Sequence, residues 1–202
     1  DYSHVQSQLR TLLDSGHADQ VIQLGEELWT RGNEQVGQSH DEGETAEEIT
    51  VCMEIVLQAV PRSSMSSAEQ LLWVIDRALN DEYSLLDSAS SILENTTYTQ
   101  DTWHTVAEAL EDRLKAMKQP AAAEFSSRYH RNRVMNMLVD AYTRSGKPEK
   151  VIPLLEKEAD AGQCYETLVN ALLAAGELEK AKQWCIRGFE RTIKSAPGIA
   201  SA

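Results

Sequence analysis

A chain of 202 residues, 42% hydrophobic and 25% charged, suits one globular domain or one elongated array with ample length to bury a core. Aromatics make up only 6%, and no apolar run approaches a bilayer span, so neither a sheet-rich fold nor a membrane protein is expected. The net charge of −13 repels phosphate backbones and speaks against general nucleic-acid binding. That charge is uneven: residues 1–112 hold 22 acids against 4 Lys/Arg, net −18, while residues 113–202 are net +5.

In chain order, the spacing predicts a first helical hairpin over Ser3–Ser15 and Ala18–Thr30. Its corner is Gly16, and Val21, Leu24 and Leu28 form the returning apolar face. Gly32-Asn33 and Gly37 then break the pattern. Ser39 and Glu42 have capping-box spacing ahead of a stripe of Ile49, Cys52, Met53, Val56, Leu57 and Val60, which Pro61 ends. A second capping box, Ser66 with Glu69, opens a helix bearing Leu71, Leu72, Ile75 and Leu79. A shorter helix carries Leu85, Leu86, Ala89, Ile92 and Leu93. Another carries Trp103, Val106, Ala107, Leu110, Leu114 and Met117. Pro120 punctuates the chain between an acidic half (1–118) and a basic half (121–202). Beyond it, Phe125, Tyr129 and Val134 lead into two helix–turn–helix units with corners at Gly146 and Gly176, 30 positions apart. About nine or ten helices and no sheet are expected, in one helical-repeat domain. The start at Asp1 and the small-residue string Ser195-Ala196-Pro197-Gly198 are expected of a fragment of a longer chain.

Gly16, Gly146 and Gly176 are each followed after five residues by Val21, Val151 or Ala181. These units resemble tetratricopeptide repeats, in which a corner Gly precedes a small residue, usually Ala, at that distance. Ala181 matches it, and Val21 and Val151 depart from it. The resemblance implies an all-α array of tetratricopeptide-like hairpins, an α-solenoid winding as a right-handed superhelix. It also implies a partner-binding inner face made by the first helix of each hairpin. Carried onto this chain, that face comprises Arg133, Asn136, Asp140 and Arg144, then Gln163, Glu166 and Asn170 in the next unit. Met135, Leu138, Val139 and Tyr142, with Leu168, Val169 and Leu172, make the apolar face behind it. The Lys/Asn clamp that such arrays use for chain-terminal carboxylates is not reproduced.

The strings Ser39–Thr45 (Ser-His-Asp-Glu-Gly-Glu-Thr), Glu69–Trp73 (Glu-Gln-Leu-Leu-Trp), Tyr129 with Arg131 and Arg133, and Cys164–Val169 resemble the helical region of bacterial SWIM zinc-finger proteins. There, such a region follows a finger of Cys-x-Cys and Cys-x-His pairs. No such pair occurs here, so the resemblance implies that zinc ligation lies outside this chain.

Cys52, Cys164 and Cys185 lack metal-ligand spacing and are expected as buried, reduced core thiols. His40-Asp41-Glu42-Gly43-Glu44, with Glu47 and Glu48, is the densest group of possible ligands. It reads as a capped helix start with dipole-compatible acids, the alternative being a ligand- or metal-binding regulatory site over His40–Glu48. Arg128, Arg131 and Arg133 do not share one helical face, which favours a solvated face or intramolecular pairing over a nucleic-acid grip. Trp29, Trp73, Trp103 and Trp184 read as packing anchors. No catalytic triad spacing or phosphate loop is found. The reading is a non-enzymatic, cytoplasmic protein–protein interaction scaffold with no cofactor and no metal. Its protein partner is unidentified and its oligomeric state is left open; no direct nucleic acid or membrane contact is expected.

Overall fold

The computed structural model describes residues 2–118 and 125–195 and is all-α. Ten α-helices and no strand occur among the described residues: α1 Tyr2–Asp14, α2 Ala18–Gln38, α3 Glu44–Ala59, α4 Ser67–Leu79, α5 Ala89–Leu93, α6 Gln100–Ala116, α7 Phe125–Arg144, α8 Val151–Gly162, α9 Tyr165–Ala174 and α10 Leu178–Ser195. Two compact units divide the chain, residues 1–98 and 99–202. Pro120 and residues 196–198 of the terminal string lie outside the described residues.

The corners behave as the spacing requires. Gly16, Gly146 and Gly176 have φ of 82°, 73° and 75°, a region in which a Cβ is strained. At each corner the N–H of the following residue reaches the carbonyl five positions back: His17 to Leu12, Lys147 to Tyr142 and Glu177 to Leu172, all at 2.9 Å. This satisfies carbonyls that the end of a helix would otherwise leave open. Val21 and Ala181, five residues on, are buried, and Val151 is half-buried.

In the first unit, α1 packs on α2 and α3, and α3 supplies the centre of the core with Ile49, Cys52, Met53 and Val56. Here the expected break at Gly32-Asn33 and Gly37 is overturned, since α2 runs unbroken from Ala18 to Gln38. Gly25 and Gly32 are where α3 comes closest: a Cβ on Gly25 would stand 2.8 Å from Val56 Cγ2, and one on Gly32 would stand 3.2 Å from Ile49 Cδ1. The glycines permit a close crossing, and the packing gained outweighs their poor helix propensity. Leu24, expected on the inner face, is exposed, because the buried line runs through Ala18, Val21, Ile22, Gly25 and Gly32.

The capping box at Ser39 and Glu42 is also overturned. Ser39 caps the end of α2, and α3 starts only at Glu44, after Gly43 with φ 102°. The Asp41 carboxylate organises this turn, accepting from the Gly43 N–H at 3.0 Å and from the Thr45 hydroxyl. The second box is present: Ser66 Oγ accepts from the Glu69 N–H, and Glu69 Oε2 accepts from the Ser66 N–H at 2.7 Å. α5 is shorter than the spacing implied. Leu85 and Leu86 precede it in a turn whose N–H groups bond Asp81 at 2.9 and 3.0 Å. At the other side of this unit, Trp73 Nε1 and Arg77 both donate to Glu26, at 3.1 and 2.7 Å.

In the second unit each helix packs on its predecessor, from α6 through α10. The core of its later part comprises Met135, Leu155, Ala159, Cys164, Tyr165, Leu168, Leu172 and Ala181. Pro148 opens a 3-10 turn that leads into α8. Of the three free thiols, Cys52 and Cys164 are buried, but Cys185 is exposed; α9 covers the neighbouring stripe of α10 instead. No helix among the described residues is long and apolar enough to cross a membrane.

Candidate interaction surface

α7 is buried along Val134, Met135, Leu138, Ala141 and Tyr142, and this half of the helix defines the other. Arg133, Asn136, Asp140 and Arg144 recur at three- and four-residue steps, so they share one stripe on the opposite side. The same stripe continues toward the helix start through Tyr129 and Phe125, which are 57% and 71% exposed. Their rings stack at 6.3 Å, and the Arg133 guanidinium lies 5.9 Å from the centre of the Tyr129 ring. Arg144 Nε donates to Asp140 at 2.8 Å, and its guanidinium sits 4.9 Å from the Trp103 ring on α6. The inward-facing side of Arg144 is therefore structural.

Glu166 and Asn170 are exposed, four residues apart on α9, over a buried line of Tyr165, Leu168 and Leu172. They form a second stripe, on a different helix from the other four. Two bonds tie the first half of α7 to the end of α8, just ahead of α9: Arg128 donates to Gln163 Oε1 at 2.6 Å, and Asn132 Nδ2 donates to the Gly162 carbonyl at 2.7 Å.

The sequence left Arg131 open between a solvated face and intramolecular pairing, and the structure pairs it. It is 5% exposed, and it donates to both carboxylate oxygens of Glu158, itself 2% exposed, at 2.8 and 3.0 Å. Its third nitrogen donates to the carbonyls of Leu114 and Met117, each at 3.1 Å. One guanidinium thus joins the end of α6 to α7 and α8. A signal was available, since Arg131 falls in step with Val134 and Leu138, and Glu158 in step with Val151 and Leu155. Both sit on stripes meant for the core.

Above this pair lies a cleft of about 340 Å³ between α6, α7 and α8, floored by Leu114, Leu138 and Leu154 and rimmed by Lys115, Lys150 and Lys157. Glu111 on its wall accepts from the Tyr142 hydroxyl at 2.7 Å and from Lys150 at 3.2 Å. Burial pushes the Glu111 carboxyl up, but these bonds and the lysines together outweigh it and hold it below its ordinary value. Burial, reinforced by Glu111, pushes the Tyr142 phenol far up.

Over His40–Glu48 the histidine and the five acids stay exposed along the turn and the first turns of α3, with Asp41 engaged as described. Among the described residues, no group of three or more His, Cys, Asp or Glu is placed to hold a metal ion. Comparison with models of protein families, with curated proteins and with solved structures yields no match.

Proposed function

We propose that this chain is a non-catalytic protein–protein interaction scaffold within a larger cytoplasmic protein. In this reading it is a tetratricopeptide-like array of α-hairpins, an α-solenoid, and its partner lies along α7 and the start of α9. The carrying observation is the solvent-facing stripe of α7, which joins a stacked, exposed aromatic pair and an arginine to Asn136 and Asp140. An exposed Tyr beside a half-buried Arg on a helix face is the kind of group from which interface hot spots are made. The sequential packing of α6 to α10 and the three glycine corners support the array. The resemblance to the helical region of bacterial SWIM zinc-finger proteins belongs to the same proposal and rests on the strings quoted above.

Arg133→Glu with Asn170→Ala is expected to abolish capture of a native partner without lowering stability by more than about 1 kcal/mol. Tyr129→Ala should do the same. The control changes Glu42, Glu44 and Glu47. If the control removes the partner and the α7–α9 changes do not, the acidic region carries the interface and the assignment falls.

The cleft favours a second reading, a ligand-binding helical domain, because its volume and apolar floor are those of small-molecule sites. Lys150→Glu separates the two. It leaves partner capture intact if the α7 stripe is the site, and it removes binding if the cleft is.

A further inference from the structure

α10 carries more apolar surface than its neighbour covers. Its inner stripe is used up: Ala181 is buried, Trp184 meets Tyr165 at 6.4 Å between ring centres, and a Cβ on Gly188 would stand 2.8 Å from Tyr165. Directly beside that stripe runs a second one of Leu178, Ile186, Phe189 and Ile193, of which Leu178 is 64% and Phe189 53% exposed. Leu173, near the end of α9, is also exposed. Four of the ten exposed large hydrophobics among the described residues therefore lie on this one stripe of α10. A patch of this kind marks an association surface.

Its charges select the occupant. Lys182 lies inside the apolar stripe, four residues from Leu178 and four before Ile186, and Glu190 lies at its margin, four beyond Ile186. Two other α10 cations are engaged within the chain: Arg187 pairs with Asp160, and Lys180 with Glu177 at 2.6 Å. Laid against a second α10 running the opposite way and crossing at Ile186, Lys182 meets Glu190 of the other copy, since each is about 6 Å from the crossing. The two-fold axis makes that pair twice. A parallel mate would set Lys182 against Lys182 within an apolar strip, which is repulsive.

We infer that the outer face of α10 is a self-association surface, on which two copies of this chain pair antiparallel about Ile186 with reciprocal Lys182–Glu190 contacts. The proposal does not depend on the α7 surface. One helix face per copy buries less than a standard interface, so the dimer is weak, with Kd on the order of micromolar or above.

Sedimentation equilibrium of the 202-residue chain under reducing conditions, from 1 μM to 1 mM at low salt, tests this. A reversible dimer is expected, and Phe189→Glu should leave a monomer with unchanged helix content. Lys182→Glu and Glu190→Lys should each weaken pairing roughly tenfold. The double variant should restore it, because the pair is re-formed with its signs exchanged. Cys185 lies one residue from the crossing and is exposed in the single chain, so its alkylation should slow as concentration rises, except in Phe189→Glu. A chain that stays monomeric throughout overturns the proposal. So does a dimer indifferent to Phe189→Glu, or a charge-exchanged double variant weaker than either single.

Discussion

Replacing Arg131 by Met would remove the cation that bonds Glu158 at 2.8 and 3.0 Å, and leave a carboxylate with 2% exposure inside the second unit. The Leu114 and Met117 carbonyls would lose their donor as well, which loosens the end of α6 from α7. Stranding one member of a buried ion pair costs about 3–5 kcal/mol, because the desolvated charge loses its compensation. Against a typical domain stability of about 5–15 kcal/mol, that is roughly a fifth or more of the total. Glu158→Leu should cost a similar amount by stranding the guanidinium, although the two carbonyls soften the loss. The double variant Arg131→Met/Glu158→Leu removes both charges and fills the space with apolar groups. It should come within about 1–2 kcal/mol of the parent, giving a coupling energy of about 2 kcal/mol or more. Urea unfolding followed by helix content, with tryptophan fluorescence as a second probe, measures all three. If Arg131→Met costs under about 1 kcal/mol, or if the double variant loses the sum of the singles, the pair does not tie the helices together as described.

The glycines separate two mechanisms. Gly176→Val should cost about 1 kcal/mol or more through its left-handed backbone alone, since a Cβ there meets nothing, whereas Gly25→Ala should cost about 1–3 kcal/mol through its clash with Val56 at an ordinary helical backbone; equal melting temperatures to the parent would refute either. At neutral pH one thiol, Cys185, should react promptly with an aromatic disulfide reagent. Cys52 and Cys164 should react only on unfolding, since both are buried and burial pushes the Cys164 thiol up to about 11; two prompt thiols would be the wrong answer. Burial raises the Glu111 and Asp160 carboxyls, but their bonds to Tyr142 and Lys150, and to Arg187 and Tyr165, outweigh it and hold both below their ordinary values of 4.5 and 3.8. A depressed carboxylate stabilises the fold above its unfolded pKa, and that contribution is lost as pH falls through the folded one. The melting temperature should therefore drop on acidification below 4.5, less steeply in Glu111→Gln, and an unchanged slope in that variant would count against the Glu111 cluster.

Helices and corners were legible in the sequence because they are local. The returning N–H at Gly16, Gly146 and Gly176 reaches back only five residues, and a positive φ needs only the missing Cβ. The common stripe of Arg133, Asn136, Asp140 and Arg144 was legible for the same reason, since it follows from helical spacing alone. Local rules failed where a distant element decided the outcome. Gly32 and Gly37 read as a break, yet α2 continues because α3 crosses it closely enough to make a missing Cβ an advantage at Gly25 and Gly32. Arg131 looked like one member of a basic surface run until α8, 27 positions on, brought Glu158 to it. The sequence by itself determined that α10 would be apolar over a wide arc that includes Cys185. Only the tertiary structure decided which part of that arc is covered, because periodicity records which side chains avoid water, while burial depends on how many neighbours arrive to exclude it.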